Sequence, residues 1–228
     1  MFYQPGITDH NLTHDPFKAC VVPRPIGWIS TQNKDGQSNL APYSQFNNLT
    51  FDPPYVMFSS NQKVDGTRKD TVVNAEQTGH FVWNLATWDL RNAVNISAEQ
   101  VPYGVDEFER AKVTKERATL MDIPMVQESP VKFECEYHST VRLPGNPPMG
   151  TVDIVIGRVL AVHIKDEVLT DGLLDVRKTK PLARCGYYQY TVVQETFDMV
   201  IPGMSEDVLY GLEGNAKSNR EAEARNTQ

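Results

Sequence analysis

The fold is decided by residues 23–60, which read PRPIGWISTQNKDGQSNLAPYSQFNNLTFDPPYVMFSS. Two stretches rich in β-forming residues, 26–32 and 38–44, flank the segment NKDG at 33–36. Asn, Asp and Gly tolerate the positive φ angles of tight turns, so this pattern predicts a β-hairpin. A third strand is predicted at 55–59, after a stiff break made by two successive prolines.

The second strand of this hairpin is unusual because it carries Pro42. Proline cannot donate a hydrogen bond to a sheet, so Pro42 predicts a sheet edge or a β-bulge. Small and polar residues surround it, and a kinked segment of this kind lets a flat ligand approach the backbone closely. A bulge at the corner of a barrel has the same composition, so the residues alone leave both interpretations open.

Further motifs follow these in order along the chain. They are KDTVVNAEQTGHFVWNL at 69–85, DGLLDV at 171–176 and ARCGYYQY at 183–190. Together with PRPIGWIST, NLAPYSQFN and DPPYVMFSS, they resemble the flavin reductase-like family over about residues 20–193. The resemblance implies a mainly β fold, namely an FMN-binding split β-barrel with a few peripheral helices. It also implies a homodimer, bound FMN and electron transfer from NADH or NADPH.

The resemblance also implies a set of cofactor-binding residues. The flavin ring is expected to lie on two strands whose backbone groups bond its pyrimidine edge, through Ile29, Ser30, Thr31, Asn39, Leu40, Ala41, Pro42, Tyr43 and Ser44. The ribityl phosphate is expected among Ser59, Ser60, Arg68, Lys69, Asp70 and Thr71, and the sequence does not choose between Arg68 and Lys69. Arg24 is expected at the pocket rim, where it meets the nicotinamide phosphates or pairs with a carboxylate. No acid–base catalytic residue and no metal are expected, because the flavin itself accepts the hydride.

The residues themselves give some support to an anion site before 71–78. Asp70 is predicted to cap a helix there and Gly79 to end it. Hydroxyls, cations and free N–H groups gathered at a helix start are typical of an anion site. An ordinary capped helix with a solvated basic flank has the same sequence, and the residues without the resemblance favour that interpretation.

Composition excludes several classes of function. The 228 residues carry a formal net charge of −7, which argues against a nucleic-acid partner and gives no reason to expect an anionic membrane surface. No apolar run approaches the length of a membrane span, and the N-terminus shows no secretory signal. Three widely spaced cysteines predict free thiols and are consistent with a reducing cytoplasm. The sequence has no G-x-G-x-x-G, P-loop, G-x-S-x-G or C-x-x-C motif, so any redox chemistry must come from a cofactor.

The remaining sequence patterns predict how the rest of the chain is divided. The predicted parts are an irregular lead-in at 1–19, the barrel domain at 20–204 and a polar tail at 205–228, with a helix at 205–212 and disorder at 213–228. Within the barrel domain, strands are predicted at 80–86, 131–141, 151–165 and 182–193, the last closing the sheet. Helices are predicted from Thr87 or Asp89 to Glu99 and at 106–111. Segment 101–130 is interpreted as an excursion over the barrel that lines the substrate entrance.

Several single residues have two interpretations. His10 and His14 are spaced as metal ligands on a helix, but solvated histidines in an irregular segment are favoured. Trp83 and Trp88 suit either a stacking platform or a core. On the strand at 131–141, Cys135 is predicted to face inward, with Lys132, Glu134, Glu136 and His138 outward. Gly157 predicts a bulge, and His163 a surface or hydrogen-bonded histidine.

Three functions compete at this stage. The first is a flavin reductase that supplies reduced FMN to a partner oxygenase or another acceptor. The second is an electron-transfer flavoprotein of the flavoredoxin type, without NAD(P)H oxidation of its own. The third is a haem- or pyridoxal-phosphate-binding relative on a similar barrel, which the stretch at 39–47 disfavours.

Overall fold

The computed structural model describes residues 1–205, 208–209, 221 and 224–225. The helices are α1 (Phe17–Cys20), α2 (Asp70–Thr78), α3 (Arg91–Ile96), α4 (Glu107–Ala111) and α5 (Val176–Thr179), with a 3-10 helix at Asp166–Val168. The strands are β1 (Arg24–Pro25), β2 (Gly27–Gln32), β3 (Ser38–Tyr43), β4 (Phe46–Phe51), β5 (Pro54–Asn61), β6 (His80–Leu85), β7 (Lys115–Arg117), β8 (Pro124–Val126), β9 (Val131–Leu143), β10 (Val152–Ile164), β11 (Leu169–Thr170), β12 (Leu173–Leu174), β13 (Leu182–Arg184) and β14 (Tyr190–Val192). The predicted hairpin is β2–β3, and the predicted third strand is β5.

Seven strands form one antiparallel sheet in the order β3-β2-β6-β9-β10-β5-β4. Strands β3 and β4 lie at opposite edges of this order, yet only Ser44 and Gln45 separate them in the chain. Three chain steps span at most about 11 Å, so the sheet must curl until its two edges come close. The result is a barrel that is split along the seam between β3 and β4, which confirms the predicted fold class.

One hydrophobic cluster fills the inside of this barrel. Ile29, Phe58 and Phe81 are fully buried in it, each on a different strand. Helix α2 packs onto the same cluster through Val72 and Ala75. This packing fixes the start of α2 next to β2 and β3.

A second cluster covers the outer face of the hairpin. Side chains alternate along a strand, so Trp28 faces away from Ile29. Trp28 packs there with Val94 of α3, Phe108 of α4 and Leu182 of β13. Helices α3 and α4 therefore lie beside edge strand β3, and the segment between them is brought over that edge.

Three elements differ from the sequence predictions. Strand β4 was not predicted, because its two asparagines and its exposure at every position but the first leave no apolar alternation. Strands β13 and β14 do not close the main sheet, since they pair with β1 in a separate three-stranded sheet. Helix α3 begins only at Arg91 and ends at Ile96, because Thr87 forms an isolated bridge with Pro181 instead of a cap.

The outward pattern predicted for β9 is also wrong in part. Lys132 and Glu134 are only 3% and 0% exposed. The chain around β7 and β8 folds over this face, and Glu134 accepts the backbone N–H groups of Thr119 at 2.9 Å and Leu120 at 2.7 Å. Because the outer face of β9 is covered here, its polar residues are buried, and the expected alternation of buried and exposed positions is lost.

Other single-residue predictions are confirmed. Cys135 is fully buried, and the pairing of β9 with β10 shifts register at Gly157, as expected of a bulge. His163 is hydrogen-bonded, with its Nε2 2.6 Å from a carboxylate oxygen of Glu134. The three cysteines are free thiols.

Two further findings concern the whole chain. None of the helices in the described residues is long and apolar enough to span a membrane. The helix predicted at 205–212 and the disorder predicted at 213–228 fall mainly outside the described residues. Within those segments, residues 208, 209, 221, 224 and 225 are helical.

Candidate functional site

A cleft of about 600 Å³ opens beside the free edge of β3. Its walls are β3, the start of α2, the loop at 63–65 and the segment 97–103 together with Glu107. A smaller pocket of about 270 Å³ adjoins it and reaches the end of β5. We call these the main cleft and the side pocket. The residues lining both are Pro42, Tyr43, Val64, Lys69 and Gln100.

Most of the residues implied for cofactor binding meet in this connected space. Those lining the main cleft are Asn39, Ala41, Pro42, Tyr43, Lys69, Asp70 and Thr71. Those added by the side pocket are Ser44, Ser59 and Ser60. Those lining neither are Ile29, Ser30, Thr31, Leu40 and Arg68.

The backbone of β2 is not available in the way that the sequence prediction required. Ile29 pairs with Ala41 of β3 on one side and with Trp83 of β6 on the other. Ser30 is likewise held between both neighbouring strands. A strand inside a sheet has its main-chain groups consumed by its two neighbours. Backbone bonds from Ile29 and Ser30 to a flavin ring are therefore ruled out, and β2 instead supports β3 from behind.

The outer edge of β3 faces the main cleft. The Leu40 N–H points away from β2 and donates to Glu107 Oε2 at 3.0 Å. Main-chain groups alternate in direction along a strand, so those of Pro42 point the same way as those of Leu40. The sheet therefore loses no hydrogen bond at Pro42, although proline has no N–H. This confirms the prediction that Pro42 lies on an edge.

A buried polar network fixes the floor of the main cleft. Asn39 Nδ2 donates to Thr71 Oγ1 at 2.8 Å and to Thr31 Oγ1 at 3.3 Å. Asn74 Nδ2 donates to the same Thr31 hydroxyl at 3.2 Å, and Tyr103 donates its hydroxyl proton to Asn74 Oδ1 at 3.3 Å. These bonds join β2, β3, α2 and the 97–103 wall. Thr31, which lines no pocket, thus positions the residues that do.

The start of α2 differs from its predicted cap. The helix begins at Asp70 after Lys69, and Lys69 makes no side-chain capping bond. The Asp70 carboxylate accepts instead from Lys63 Nζ at 2.7 Å. The prediction that Asp70 caps the helix is therefore wrong, whereas Gly79 ends the helix in a left-handed conformation as predicted.

Lys69 is left as a half-buried cation in the cleft. It forms no ion pair with any described residue, and the carboxylate of the next residue, Asp70, accepts from Lys63 instead. Burial lowers the pKa of Lys69, and the charge of Lys63 lowers it further. An anion bound at this position would favour the charged form of Lys69 and so offset both effects.

Hydrogen-bond donors surround Lys69. The hydroxyl-bearing residues Ser60 and Thr71 are 4% and 1% exposed. The N–H groups of Asp70 and Thr71, the first two in α2, have no acceptor within the helix, whereas that of Val72 donates to the Lys69 carbonyl at 3.1 Å. Burial raises the pKa of Tyr43 to about 12, so its phenol stays a donor at neutral pH although the Thr71 and Ser60 hydroxyls beside it favour ionisation. A cation and several O–H and N–H donors form a set that fits a phosphate dianion.

Arg68 points away from this donor set. Its guanidinium holds both Glu76 carboxylate oxygens, at 2.7 and 2.6 Å, and Asp153 Oδ2 at 2.9 Å. These ion pairs raise the pKa of Arg68 and help to lower that of Glu76. Of the two adjacent cations that the sequence offered for a phosphate, Lys69 is the one in the cleft.

Glu107 is a cleft residue that the sequence prediction missed. It is 5% exposed and begins α4, where Asp106 caps the helix by accepting the Phe108 N–H at 2.9 Å. Burial raises the pKa of Glu107 to about 7, and the charges of Asp70 and Asp106 add to this. The prediction that 101–130 lines the entrance agrees with the positions of Tyr103 and Glu107. A short, mixed segment carries no signal that shows which of its acidic residues turns inward.

Arg24 does not pair with a carboxylate, which was one of its two predicted partners. Its guanidinium donates to the backbone carbonyls of Lys18, of Val21 at 2.7 Å and of Cys185 at 3.1 Å, and no described carboxylate pairs with it. Arg24 therefore joins α1 to the β13–β14 turn.

The two tryptophans separate into one core and one surface residue. Trp83 is 8% exposed in the barrel and donates its indole N–H to the Ile26 carbonyl at 3.0 Å. Trp88 is 42% exposed and lies under the guanidinium of Arg91. Neither lines the main cleft.

The two N-terminal histidines are not brought together as metal ligands. His10 lies against the Tyr3 ring and His14 against the Tyr187 ring. Among the described residues, no group of three or more potential ligands could hold a metal ion.

Comparisons with known proteins agree with this fold. The family model described as "Flavin reductase like domain" matches residues 19–182. An uncharacterised protein of Aquifex aeolicus is 35% identical over 80% of this chain and 91% of its own length. The structure of nitrilotriacetate monooxygenase component B from Bacillus cereus superposes with a TM-score of 0.80 at 28% identity, covering 87% of this chain and 98% of that one. Flavoredoxin of Desulfovibrio vulgaris superposes with a TM-score of 0.68 at 18% identity, covering 80% and 93%.

Proposed function

Because the chain belongs to the flavin reductase-like family of FMN-binding split-barrel proteins, we propose that it is an oxidoreductase that holds FMN in the main cleft and passes a hydride to it from NADH or NADPH. The observation that carries the proposal is Lys69. It is a half-buried cation with no carboxylate partner among the described residues, at a helix start beside a free sheet edge. A ligand with a phosphate at one end and a flat polar ring at the other fits this arrangement, because the phosphate can pair with Lys69 and the ring can lie against the edge of β3.

Bound FMN supplies the redox chemistry, since its isoalloxazine ring accepts a hydride and gives up electrons to an acceptor. The chain supplies binding and orientation. Lys69, Ser60 and Thr71 hold the phosphate by charge and hydrogen bonds. The outward carbonyl groups of Leu40 and Pro42 lie where they can accept hydrogen bonds from the edge of a flat ring, while the Leu40 N–H is already held by Glu107.

The polar network keeps these groups in place. Asn39 ties β3 to Thr71 of α2, so the edge that orients the ring and the helix start that binds the phosphate move as one unit. Tyr103 closes the opposite wall against Asn74. These hydrogen bonds hold the walls of the cleft in one arrangement, in which a bound ring can be oriented.

A partner oxygenase is the acceptor that the comparisons favour. The solved structure at 28% identity is named as component B of a monooxygenase, whereas the flavoredoxin at 18% identity shows a shared fold alone. We infer that reduced FMN, or its electrons, leaves the main cleft for a second protein. A flavoredoxin-type carrier remains the other outcome of the test below.

The assembly and compartment are also inferred. Strand β10 carries Leu160, Val162 and Ile164 at alternating positions, and these side chains are 42%, 53% and 41% exposed. A second copy covering such a stripe would make the homodimer that the sequence predicted. The free thiols suit the reducing cytoplasm.

Anaerobic mixing of the FMN-loaded protein with NADH or NADPH tests the proposal. We expect the visible absorbance of the flavin to bleach within seconds with at least one of the two coenzymes. Dithionite serves as the control that bound flavin is reducible. Bleaching with dithionite but with neither coenzyme would contradict a reductase and favour the electron carrier.

A further inference from the structure

A second, basic cleft lies on the far side of the side pocket. It has a volume of about 500 Å³ and shares Ser44, Gln45 and Asn61 with the side pocket. The two spaces therefore adjoin through the Ser44–Gln45 link between β3 and β4. We call this space the basic cleft.

Three cations line the basic cleft and none of them is neutralised. Lys18, Arg24 and Arg184 form no ion pair with any described residue. The only described acidic residue in the lining is Asp15, whose Oδ1 accepts the Phe17 N–H at 2.9 Å. In a chain with a net charge of −7, three cations against one carboxylate around one cavity create a local positive potential that attracts an anion.

The neighbouring contacts hold two of these cations in place without cancelling their charge. Arg24 is bound by backbone carbonyls, and its buried Nε has no hydrogen-bond partner. Arg184 donates to the Tyr187 carbonyl and lies 4.5 Å over the ring of Tyr190. Carbonyls and a ring face orient a guanidinium but supply no formal negative charge.

Two tyrosines add a surface for a planar group. Tyr187 and Tyr188 line the basic cleft and are 45% and 89% exposed. The Tyr187 ring is backed by His14, with ring centroids 5.6 Å apart, whereas Tyr188 is almost entirely free. An exposed aromatic ring beside a cluster of cations suits a nucleotide, because the base can stack on the ring and the phosphates can pair with the cations.

We propose that the basic cleft binds the adenosine diphosphate portion of the nicotinamide coenzyme. Lys18 and Arg184 contact the pyrophosphate, and Tyr188 stacks on the adenine. Because the basic cleft adjoins the side pocket, the nicotinamide end reaches towards the main cleft from there. The assignment rests on the proposed function, and it explains how a chain without a G-x-G-x-x-G fingerprint recognises a dinucleotide.

Equilibrium binding of ADP to the FMN-loaded protein tests the assignment. ADP carries the adenosine and the pyrophosphate but no nicotinamide, so its binding reports on this cleft without any redox step. Calorimetric titrations with ADP and with the oxidised form of whichever coenzyme reduces the flavin, NAD⁺ or NADP⁺, should show binding of both, with one competing against the other. Lys18→Ala and Arg184→Ala should each weaken ADP by about tenfold or more, the loss expected for one hydrogen bond to a charged group. Tyr188→Ala should weaken it as well.

The controls separate this assignment from the proposed function. Lys34→Ala removes an exposed lysine from the hairpin turn, outside every cleft described above, and should leave ADP binding unchanged. FMN affinity should be the same in all four variants. Lys18→Ala keeps the test valid if Arg184→Ala disturbs the β13–β14 turn, because the Lys18 ammonium makes no hydrogen bond with a described residue. FMN-loaded protein that ignores ADP, or binds it equally in all variants, would overturn the assignment and leave FMN binding intact. Failure to bind FMN would instead refute the proposed function.

Discussion

Replacing Lys69 with alanine tests the phosphate site, because the contacts of Lys69 allow the expected loss of FMN affinity to be worked out. In the protein without ligand, the Lys69 ammonium is partly desolvated and has no counter-ion among the described residues. The neighbouring Asp70 carboxylate instead accepts from Lys63 at 2.7 Å. Both burial and Lys63 lower the pKa of Lys69. A phosphate dianion provides the missing partner, and a hydrogen bond to a charged group is worth about 1.5–3 kcal/mol. Lys69→Ala should therefore weaken FMN binding by about ten- to a hundredfold.

Riboflavin provides the internal reference because it lacks the phosphate. Its affinity should barely change in Lys69→Ala, so the ratio of the two Kd values, measured by quenching of flavin fluorescence, is the readout. Arg68→Ala is the matched control, since it removes the same charge from the adjacent residue, whose guanidinium is held by Glu76 and Asp153. Its ratio should equal that of the unmodified protein. An unchanged ratio in Lys69→Ala, or an equal change in both variants, would refute the placement of the phosphate.

Three other predictions concern stability and assembly. The pKa of Glu107 is raised from 4.5 to about 7 in the folded protein, so its contribution to stability is complete below about pH 4.5 and is lost as pH rises through 7. This pKa shift corresponds to a loss of about 3 kcal/mol of stability, and solvent in the open cleft reduces the loss to about 1–2 kcal/mol. Urea unfolding measured between pH 4.5 and pH 7 should show this loss of stability in the unmodified protein and not in Glu107→Gln. Gly157→Ala should lower the free energy of unfolding by about 1–3 kcal/mol, because the added methyl group would overlap the buried Phe81 ring, and an unchanged urea midpoint would count against this packing. Light scattering at micromolar concentration should give the mass of two chains, and the mass of one chain would exclude the homodimer.

The parts of the fold that follow from local chemistry could be predicted from the sequence. The NKDG segment favours a turn, and Pro42 restricts its strand to an edge or a bulge, because each limits its own backbone regardless of what lies elsewhere. The bulge at Gly157 follows from the same kind of restriction. Motif order then led to the correct family, and the family to the correct fold class.

The predictions that were wrong concern residues whose burial or strand pairing is decided by distant parts of the chain. Lys132 and Glu134 alternate as exposed residues should, yet the chain around β7 and β8 buries them. Residues 182–193 have the pattern of a closing strand, and only tertiary pairing with β1 places them in another sheet.

The same limit applies to the site. Arg68 and Lys69 are neighbours of equal charge, and the choice between them depends on Asp153, which lies 85 residues away from Arg68 in the chain. Glu107 enters the cleft because Leu40, 67 residues distant, offers it a backbone N–H. Contacts at such separations leave no trace in a single sequence.

The central claim is that the main cleft holds FMN, and a titration with FMN tests it most directly. The purified protein should take up one FMN per chain, with saturating visible absorbance. Ligand that binds only the folded state adds about 2.7 kcal/mol of stability at a concentration a hundred times its Kd, so Tm should rise with FMN and rise less with riboflavin at the same concentration. A protein that stays colourless, with a Tm that is unchanged at saturating FMN, would contradict the account.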